Sequence, residues 1–237
     1  MITMNENRDL PPHLGILMLA TRFPRPPGDI GNPASFGFPV RYGRVDAASA
    51  QRVVRERARG LLDHFVAAGN ALAAEGALGI ATGCGFLATF QRDLAAALPV
   101  PVATSSLLQV AWLAPLLPAG RRVGVVTIDA NSLDEAHLAG VGAPLDTPVE
   151  GVDPEGEFAT SILDDACTLD QVVAERDVVV AAHRLLDRNP DVGAIVLECT
   201  NMPPYAPAVR RATGLPVYDV LTMLDWFWRG LARRGGS

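Results

Sequence analysis

The sequence predicts an α/β protein built from two similar halves, each with a parallel sheet covered by helices on both faces. Two observations carry this prediction. Short, continuously apolar runs alternate with longer stretches of helical periodicity, which is typical of buried parallel strands. One local pattern also occurs twice: an apolar run ends in a cysteine, Cys84 or Cys199, and a helix-like segment follows it.

The individual elements follow from the spacing of apolar residues along the chain. A run of continuous apolar residues predicts a strand, and a period of three to four residues predicts a helix. The predicted strands are 14–20, 77–82, 100–104, 122–128, 192–197 and 216–220, and the predicted helices are 47–75, 86–97, 107–117, 168–189 and 221–234.

Two glycines extend the repeat toward the amino terminus of each half. Gly15 lies 69 residues before Cys84, and Gly124 lies 75 residues before Cys199. Each half therefore has the order strand, long insert, helix, strand ending in cysteine, helix, strand. This spacing indicates a duplicated domain rather than a solenoid, whose repeats are shorter. With a boundary at the turn 118–120, we predict a first domain over 1–118 and a second over 119–219.

Composition excludes several classes of function. The net charge of −6 leaves no basic footprint for nucleic acid. All 20 basic residues are arginine, so no lysine can form a pyridoxal phosphate Schiff base or complete a phosphate-binding loop. Three distant cysteines argue against a disulfide framework, and no run approaches the ~18 apolar residues of a membrane span. Because the start of the chain is polar, we expect no signal peptide and a cytoplasmic protein.

The two repeated cysteines fall where parallel strands end, which is where such sheets bind ligands. The thiolate is the reactive form of cysteine, and a helix N-terminus lowers the pKa of a thiol. Gly85 allows the backbone to approach a ligand closely, while Thr200 and Asn201 can cap a helix or bind one. Backbone N–H groups at both turns can hold a substrate carboxylate between the halves. One thiolate would then remove the α proton, and the other thiol would return a proton to the opposite face.

Further side chains are candidates for the wall of this site. Phe86 follows the first cysteine turn and would narrow the pocket. Thr104, Ser105 and Ser106 stand at the end of the next strand and could line it, and a helix cap is the alternative role for Ser105 or Ser106. Cys167 has no counterpart in the repeat and is expected to be structural. The proposed chemistry needs no cofactor and no metal, and the four histidines show no ligand spacing.

The segment 21–43 is a long irregular excursion directly after the first predicted strand. It is rich in proline and glycine, and it carries Arg22, Arg25 and Arg41. Long loops in compact domains are usually functional, so we predict a lid that brings Arg22 and Arg25 over the substrate. A surface loop with solvated arginines is the alternative.

At these residues the chain resembles the aspartate/glutamate/hydantoin racemase superfamily. The resemblance rests on TGCGF, LECTNMPPY and the strands GILML and VGVVT, and it spans essentially the whole chain. It implies two Rossmann-like parallel-sheet domains related by a pseudo-twofold axis, an active site in the cleft between them, and a C-terminal helix, 220–237, that completes the first domain. Carried over by position, it implies catalytic thiols at Cys84 and Cys199 and carboxylate binding by Thr82, Thr200 and Asn201.

The resemblance implies cofactor-independent racemisation or epimerisation at the carbon α to a carboxylate, on an amino acid or a hydantoin-like substrate. Arylmalonate-type decarboxylation with one cysteine and maleate-type isomerisation stay open on the same fold. A redox sensor with a reversible Cys84–Cys199 disulfide and a ligand-binding protein without turnover also stay open. We expect a small carboxylate-bearing partner, no nucleic acid and no membrane, and we leave a homo-oligomer open.

The chain departs from amino-acid racemases next to both cysteines. Gly85 and Phe86 stand where those enzymes typically have Asn-Thr, and Glu198 stands where a glutamate racemase has glycine. The residues after Thr200 also differ, with Asn201-Met202 in place of His-Tyr.

Overall fold

Two four-stranded parallel sheets form the centre of the protein. The structure, a computed structural model, describes residues 11–232. The strands are β1 His13–Leu19, β2 Val40–Val45, β3 Ala77–Thr82, β4 Val102–Ala103, β5 Arg122–Thr127, β6 Val149–Gly151, β7 Val192–Leu197 and β8 Val217–Tyr218. The first sheet has the order β2-β1-β3-β4 and the second has the order β6-β5-β7-β8. The predicted α/β fold with parallel sheets is confirmed.

The two sheets share the same irregularity in the register of their strands. In the β1–β3 pair the register shifts directly after His13, and in the β5–β7 pair it shifts directly after Arg122. These are the first residues of β1 and β5, so the same defect occupies the same place in both halves. Shared strand order and shared irregularity confirm the duplication that the sequence predicts.

Helices cover the sheets and pack a continuous apolar core between the layers. Short 3₁₀ turns lie at Pro33–Ser35, Gly85–Phe90, Ala114–Leu116 and Pro203–Tyr205. The helices are α1 Ala50–Val54, α2 Leu62–Ala74, α3 Gln91–Ala97, α4 Leu108–Leu113, α5 Glu135–Gly140, α6 Glu157–Leu163, α7 Gln171–Arg188, α8 Ala206–Thr213 and α9 Val220–Ala232. None of the helices within 11–232 combines the length and apolarity that crossing a bilayer requires.

Two equivalent glycines let the long covering helices lie close to the sheets. A Cβ on Gly15 of β1 would lie 3.0 Å from a methyl group of Leu72 in α2. A Cβ on Gly124 of β5 would lie 2.8 Å from a methyl group of Leu185 in α7. The glycine in each repeat therefore has a packing reason: the leucine of the covering helix occupies the space of a side chain.

The sequence-based prediction missed the elements that contain no continuous apolar run. The edge strands β2 and β6 were not predicted, and β2 takes up the end of the predicted loop 21–43. Only the last residue of β2 is fully buried, so its sequence, VRYGRV, reads as polar. The short helices α5, α6 and α8 also escaped prediction.

The predicted helix 47–75 is wrong as a single element. It is divided into α1 and α2 by a turn in which Arg57, Ala58 and Gly60 have φ values of 58°, 51° and 70°. These left-handed conformations cannot continue an α-helix. The apolar period runs on across the turn, which is why periodicity alone joins the two helices.

Helix α9 leaves the second sheet and packs on the first. Its residues Val220, Met223 and Leu224 share a buried cluster with Leu14 and Ile16 of β1. The domain limits 1–118, 119–219 and 220–237 stay predictions, and their parts at 1–10 and 233–237 lie outside the described residues.

We expect Gly15→Ala and Gly124→Ala each to lower the free energy of unfolding by about 1–3 kcal/mol, because the added methyl group overpacks the helix–sheet contact. Gly230→Ala in α9 is the matched control, since nothing lies within 4 Å of a Cβ there. It should raise stability by up to about 1 kcal/mol through helix propensity. Urea unfolding of the three variants measures both effects, and equal stability of all three would contradict the packing role.

Candidate active site

A narrow cavity lies where β3 and β7 end, and both halves of the protein contribute to its wall. Its volume is about 20 Å³, which is room for about one water molecule. A larger ligand therefore needs part of the wall to move. Apolar side chains make up most of the wall, namely Leu19, Phe23, Ala50, Val54, Phe86, Ile128, Ile162 and Leu163.

Cys84 enters the cavity from the end of β3. It has an extended backbone and precedes the 3₁₀ turn Gly85–Phe90. The backbone N–H of Phe86 donates to its sulfur, which lowers the pKa of the thiol, but dense packing around it and the negative charge of Glu198 dominate. Together these effects raise the pKa of Cys84 to about 12.

Cys199 enters the same cavity from the end of β7 and is buried. Its thiol lies 3.5 Å from Oδ1 of Asn201 and can donate to it, while the backbone N–H of Asn201 faces the sulfur. Burial and the charge of Glu198 raise the pKa of Cys199 well above its ordinary value. The two thiols are thus equivalent, since in each case the N–H two residues further on points at the sulfur. The sequence-based expectation of lowered thiol pKa values is wrong, because burial outweighs these N–H groups.

Glu198 is the site residue that sequence reasoning missed. Its side chain is completely buried and lines the cavity beside both thiols. Oε2 accepts a hydrogen bond of 2.7 Å from the hydroxyl of Thr127, whereas Oε1 has no partner. Burial raises the pKa of this carboxyl from 4.5 to about 7. One feature of the sequence could have indicated this role: Glu198 is a charged residue at the end of an otherwise apolar strand.

Gly85 is required by the position of Glu198. A Cβ on Gly85 would overlap Oε1 of Glu198 and would lie 2.5 Å from its backbone oxygen. The free carboxyl oxygen therefore lies directly against the turn that follows Cys84. This close approach connects the strand end of one half with that of the other.

The segment 21–43 reaches the site through a buried carboxylate. Asp29 is 1% exposed and accepts hydrogen bonds from Nη1 of Arg25 at 2.8 Å and from Nδ2 of Asn201 at 2.6 Å. Because Nδ2 of Asn201 faces Asp29, its Oδ1 faces the thiol of Cys199. Sequence reasoning did not single out Asp29, whose partner Asn201 is 172 residues away.

The structure brings together five of the sequence-predicted binding residues and leaves four others apart from the cavity. Gly85, Phe86, Arg25, Thr200 and Asn201 line it together with the thiols. Thr200 also donates to the backbone oxygen of Gly83 across the two halves, at 2.8 Å. Arg25 lies over the ring of Phe23, at 4.4 Å from its centroid.

The other four candidates lie outside the cavity wall. The hydroxyl of Thr82 donates to the backbone oxygen of Thr104 and also lies 3.1 Å from that of Cys84, and the Thr104 hydroxyl donates to Gln91. Ser105 is buried and accepts from the backbone N–H of Leu107. Arg22 is exposed and pairs with Asp165 at 3.0 Å.

Two further residues named in the sequence analysis, neither of them predicted to bind substrate, also lie away from the cavity wall. Arg41 pairs with Glu75 at the surface, and Cys167 is exposed. Among residues 11–232, no cluster of three or more His, Cys, Asp and Glu side chains is placed to hold a metal ion.

The architecture and the paired cysteine turns define the class of protein. An arylmalonate decarboxylase mutant in its sulfate-associated form superposes with a TM-score of 0.64 at 19% identity, covering 95% of each chain. A glutamate racemase isoform from Bacillus anthracis superposes with a TM-score of 0.59 at 16% identity, covering 94% of this chain and 83% of that one. The fold is that of the aspartate/glutamate racemase superfamily.

Sequence relatives narrow the class to one family. Dimethylsulfoniopropionate lyase from Durusdinium sp. clade D is 30% identical over 226 residues, which cover 92% of this chain and 74% of the lyase. Dimethylsulfoniopropionate lyase 5 from Emiliania huxleyi is also 30% identical, and the match spans 91% of this chain but 44% of that protein. No protein-family model matches the chain. The chain belongs to the dimethylsulfoniopropionate lyase family, whose members are enzymes.

We expect the Glu198 carboxyl to make stability depend on pH. Its pKa is about 7 in the folded protein against 4.5 ordinarily, so the unfolded chain ionises first as pH rises. The free energy of unfolding should therefore fall between about pH 4.5 and 7, relative to Glu198→Gln, by on the order of 3 kcal/mol. Urea unfolding of both proteins across this range measures the difference, and parallel curves would contradict it.

We expect iodoacetamide at pH 7.5 to label Cys167 before the two cavity thiols. Cys167 is exposed, whereas the raised pKa values of Cys84 and Cys199 leave little thiolate. Peptide mass spectrometry over time gives the order of labelling. Protein unfolded in guanidinium chloride is the control, in which all three should react at similar rates.

Proposed function

We propose that this protein is a lyase that cleaves dimethylsulfoniopropionate by removing the proton next to its carboxylate. One observation carries the proposal: two thiols from equivalent strand ends, the half-buried Cys84 and the buried Cys199, line one cavity in a chain of the dimethylsulfoniopropionate lyase family. The racemase-like fold supports it, because racemisation begins with the same loss of an α proton.

The reaction is an elimination across two carbons. The base takes a proton from the methylene next to the carboxylate, and the electron pair of that C–H bond forms the carbon–carbon double bond. The bond between the neighbouring methylene and the sulfonium sulfur breaks, and its electron pair stays on sulfur. The products are dimethyl sulfide, acrylate and the protonated base.

The thiols supply the base in this proposal. A proton next to a carboxylate is weakly acidic, and a base of higher pKa removes it with a greater driving force. Burial of Cys84 and Cys199 gives such strong bases, although little thiolate is present at neutral pH. The apolar wall around them, with Phe23 and Phe86, fits the two methyl groups of the leaving dimethyl sulfide.

A racemase or epimerase acting at the carbon α to a carboxylate is the second candidate function. The observation that favours it is the symmetry of the two thiols, each with the N–H of the residue two further on at its sulfur. Elimination needs one base, whereas proton transfer between two faces uses both thiols. We place either activity in the cytoplasm, since Cys84, Cys167 and Cys199 are all free.

Because elimination needs one base, we expect at least one of the variants Cys84→Ala and Cys199→Ala to lower kcat for release of dimethyl sulfide by about 100-fold or more, the range for loss of an acid–base group. Gas chromatography measures dimethyl sulfide, and proton NMR in D2O measures acrylate and any deuterium at the α carbon. Cys167→Ala is the matched control and should keep wild-type turnover.

The same experiment separates the candidate functions. Deuterium exchange or inversion in a chiral amino acid, with no acrylate from dimethylsulfoniopropionate, would replace the lyase proposal with the racemase. Full turnover in both cavity variants would show that the thiols are structural, and the proposed chemistry would be wrong.

A further inference from the structure

We propose that Glu198 binds the positive charge of the substrate, so that the site selects carboxylates carrying a methylated cationic group. The inference rests on the lyase function proposed above and adds the residue that recognises the substrate class. Three features of the cavity carry it: a free carboxyl oxygen, the lack of an available counter-charge, and apolar walls.

The free oxygen is the first feature. Glu198 is 0% exposed, and Thr127 satisfies Oε2 while Oε1 is left without a hydrogen-bond donor. Most buried polar atoms in proteins have a partner, so an unpartnered carboxyl oxygen needs an explanation. Oε1 lies against Gly85 beside Cys84, at the wall of the cavity. The position of this oxygen suits a contact with a bound ligand.

The charges around the carboxyl are the second feature. In the described part of the chain, Arg25 is the one basic side chain of the cavity wall, and it is engaged by Asp29. The other titratable groups facing Glu198 are the thiols of Cys84 and Cys199, which would be negative if ionised. Among residues 11–232, no basic side chain is thus available to balance the charge of Glu198.

An unbalanced buried carboxylate is costly, so the group keeps its proton up to a higher pH. This agrees with a pKa of about 7 for Glu198. A cation placed in the cavity supplies the missing counter-charge and favours the ionised form. Binding of a cationic ligand should then release the proton of Glu198 wherever that proton is still bound, which is at and below about pH 7.

The walls decide which kind of cation fits. Phe23, Phe86 and Ile162 offer apolar surface and no hydrogen-bond acceptors. A sulfonium or quaternary ammonium group carries its charge under methyl groups and needs no acceptor, whereas a primary ammonium leaves N–H donors unsatisfied. Aromatic rings also attract such cations. Once part of the wall has moved to make room, this lining suits a methylated cation in contact with Glu198.

The contact between Glu198 and a bound cation also favours ionisation of the two thiols. The charge of Glu198 raises the pKa of both Cys84 and Cys199. A cation beside the carboxylate offsets this repulsion and lowers the free energy of forming a thiolate. A cationic substrate thereby contributes to the formation of the base that attacks it.

Two ligands of matched shape test the inference. 3-(Trimethylammonio)propanoate and 4,4-dimethylpentanoate have the same heavy-atom skeleton, and they differ in one positive charge. By isothermal titration calorimetry at pH 7.5, the wild type should bind the cationic ligand at least about tenfold more tightly, which corresponds to 1.4 kcal/mol. In Glu198→Gln the affinity for the trimethylammonium ligand should fall and this preference should be lost, whereas 4,4-dimethylpentanoate, an anion without the positive charge, should bind no more weakly than to the wild type.

Glu155→Gln is the matched control, since it also removes one negative charge but from an exposed residue outside the cavity wall. It should keep the wild-type preference. A preference that survives in Glu198→Gln, or a wild type that does not prefer the cationic ligand, would overturn the inference.

Proton release gives a test that needs no variant. At pH 6, titrations in buffers of different ionisation enthalpy should show release of up to one proton with 3-(trimethylammonio)propanoate and none with 4,4-dimethylpentanoate. Equal proton release with both ligands would overturn the inference even if Glu198→Gln does not fold.

The outcome is separable from that of the lyase proposal, because neither ligand is required to react. A charge preference that depends on Glu198, in a protein that releases no dimethyl sulfide, would support this inference and contradict the lyase. Release of dimethyl sulfide by a protein without this charge preference would support the lyase proposal and contradict this inference.

Discussion

The burial of three acidic groups at one point is the constraint on which the site depends. Cys84, Cys199 and Glu198 stand where two parallel strands end, and burial raises the pKa of each of them. Each negative charge also makes the next one less favourable. Below about pH 7 the ligand-free cavity is therefore close to neutral, and its thiols are strong bases of which little is ionised. Any ligand that brings positive charge changes this balance for all three groups together.

Close approach of the two halves makes that burial possible. The hydroxyl of Ser106 donates to the backbone oxygen of Leu197, and Thr200 donates to that of Gly83. Both hydrogen bonds join one half of the chain to the other, next to the strand ends. Gly85 then allows the Glu198 carboxyl to lie directly on the turn of the opposite half. The geometry of the site thus depends on two side-chain hydroxyls that bind backbone oxygens of the other half, and on a glycine that has no Cβ.

The central part of the fold was predictable because it is built from continuous apolar runs. β1, β3, β5 and β7 are buried along nearly their whole length, and the thiols follow directly from where β3 and β7 end. The edge strands β2 and β6 were not predictable in this way. The left-handed turn at Arg57 and Ala58 was also hidden, since nothing in the apolar period changes there.

The supporting residues of the site were harder to predict than its thiols. Glu198 and Asp29 act through partners far away in sequence, namely Gly85 and Asn201, and a local pattern contains no trace of such contacts. The departures from amino-acid racemases at Gly85 and Glu198 were visible. The structural role of these departures was not predictable, because it depends on the contact between Gly85 in the first half and Glu198 in the second.

The hydrogen bonds of segment 21–43 to the second half have a consequence for the surroundings of the Cys199 thiol. Ile30 donates to the backbone oxygen of Thr200, and Asp29 holds the amide of Asn201 whose oxygen faces the Cys199 thiol. Any displacement of this segment would break the hydrogen bond between Asp29 and Asn201 and leave that amide free to rotate. The Cys199 thiol therefore faces this amide oxygen only while a segment of the first half of the chain is held in place.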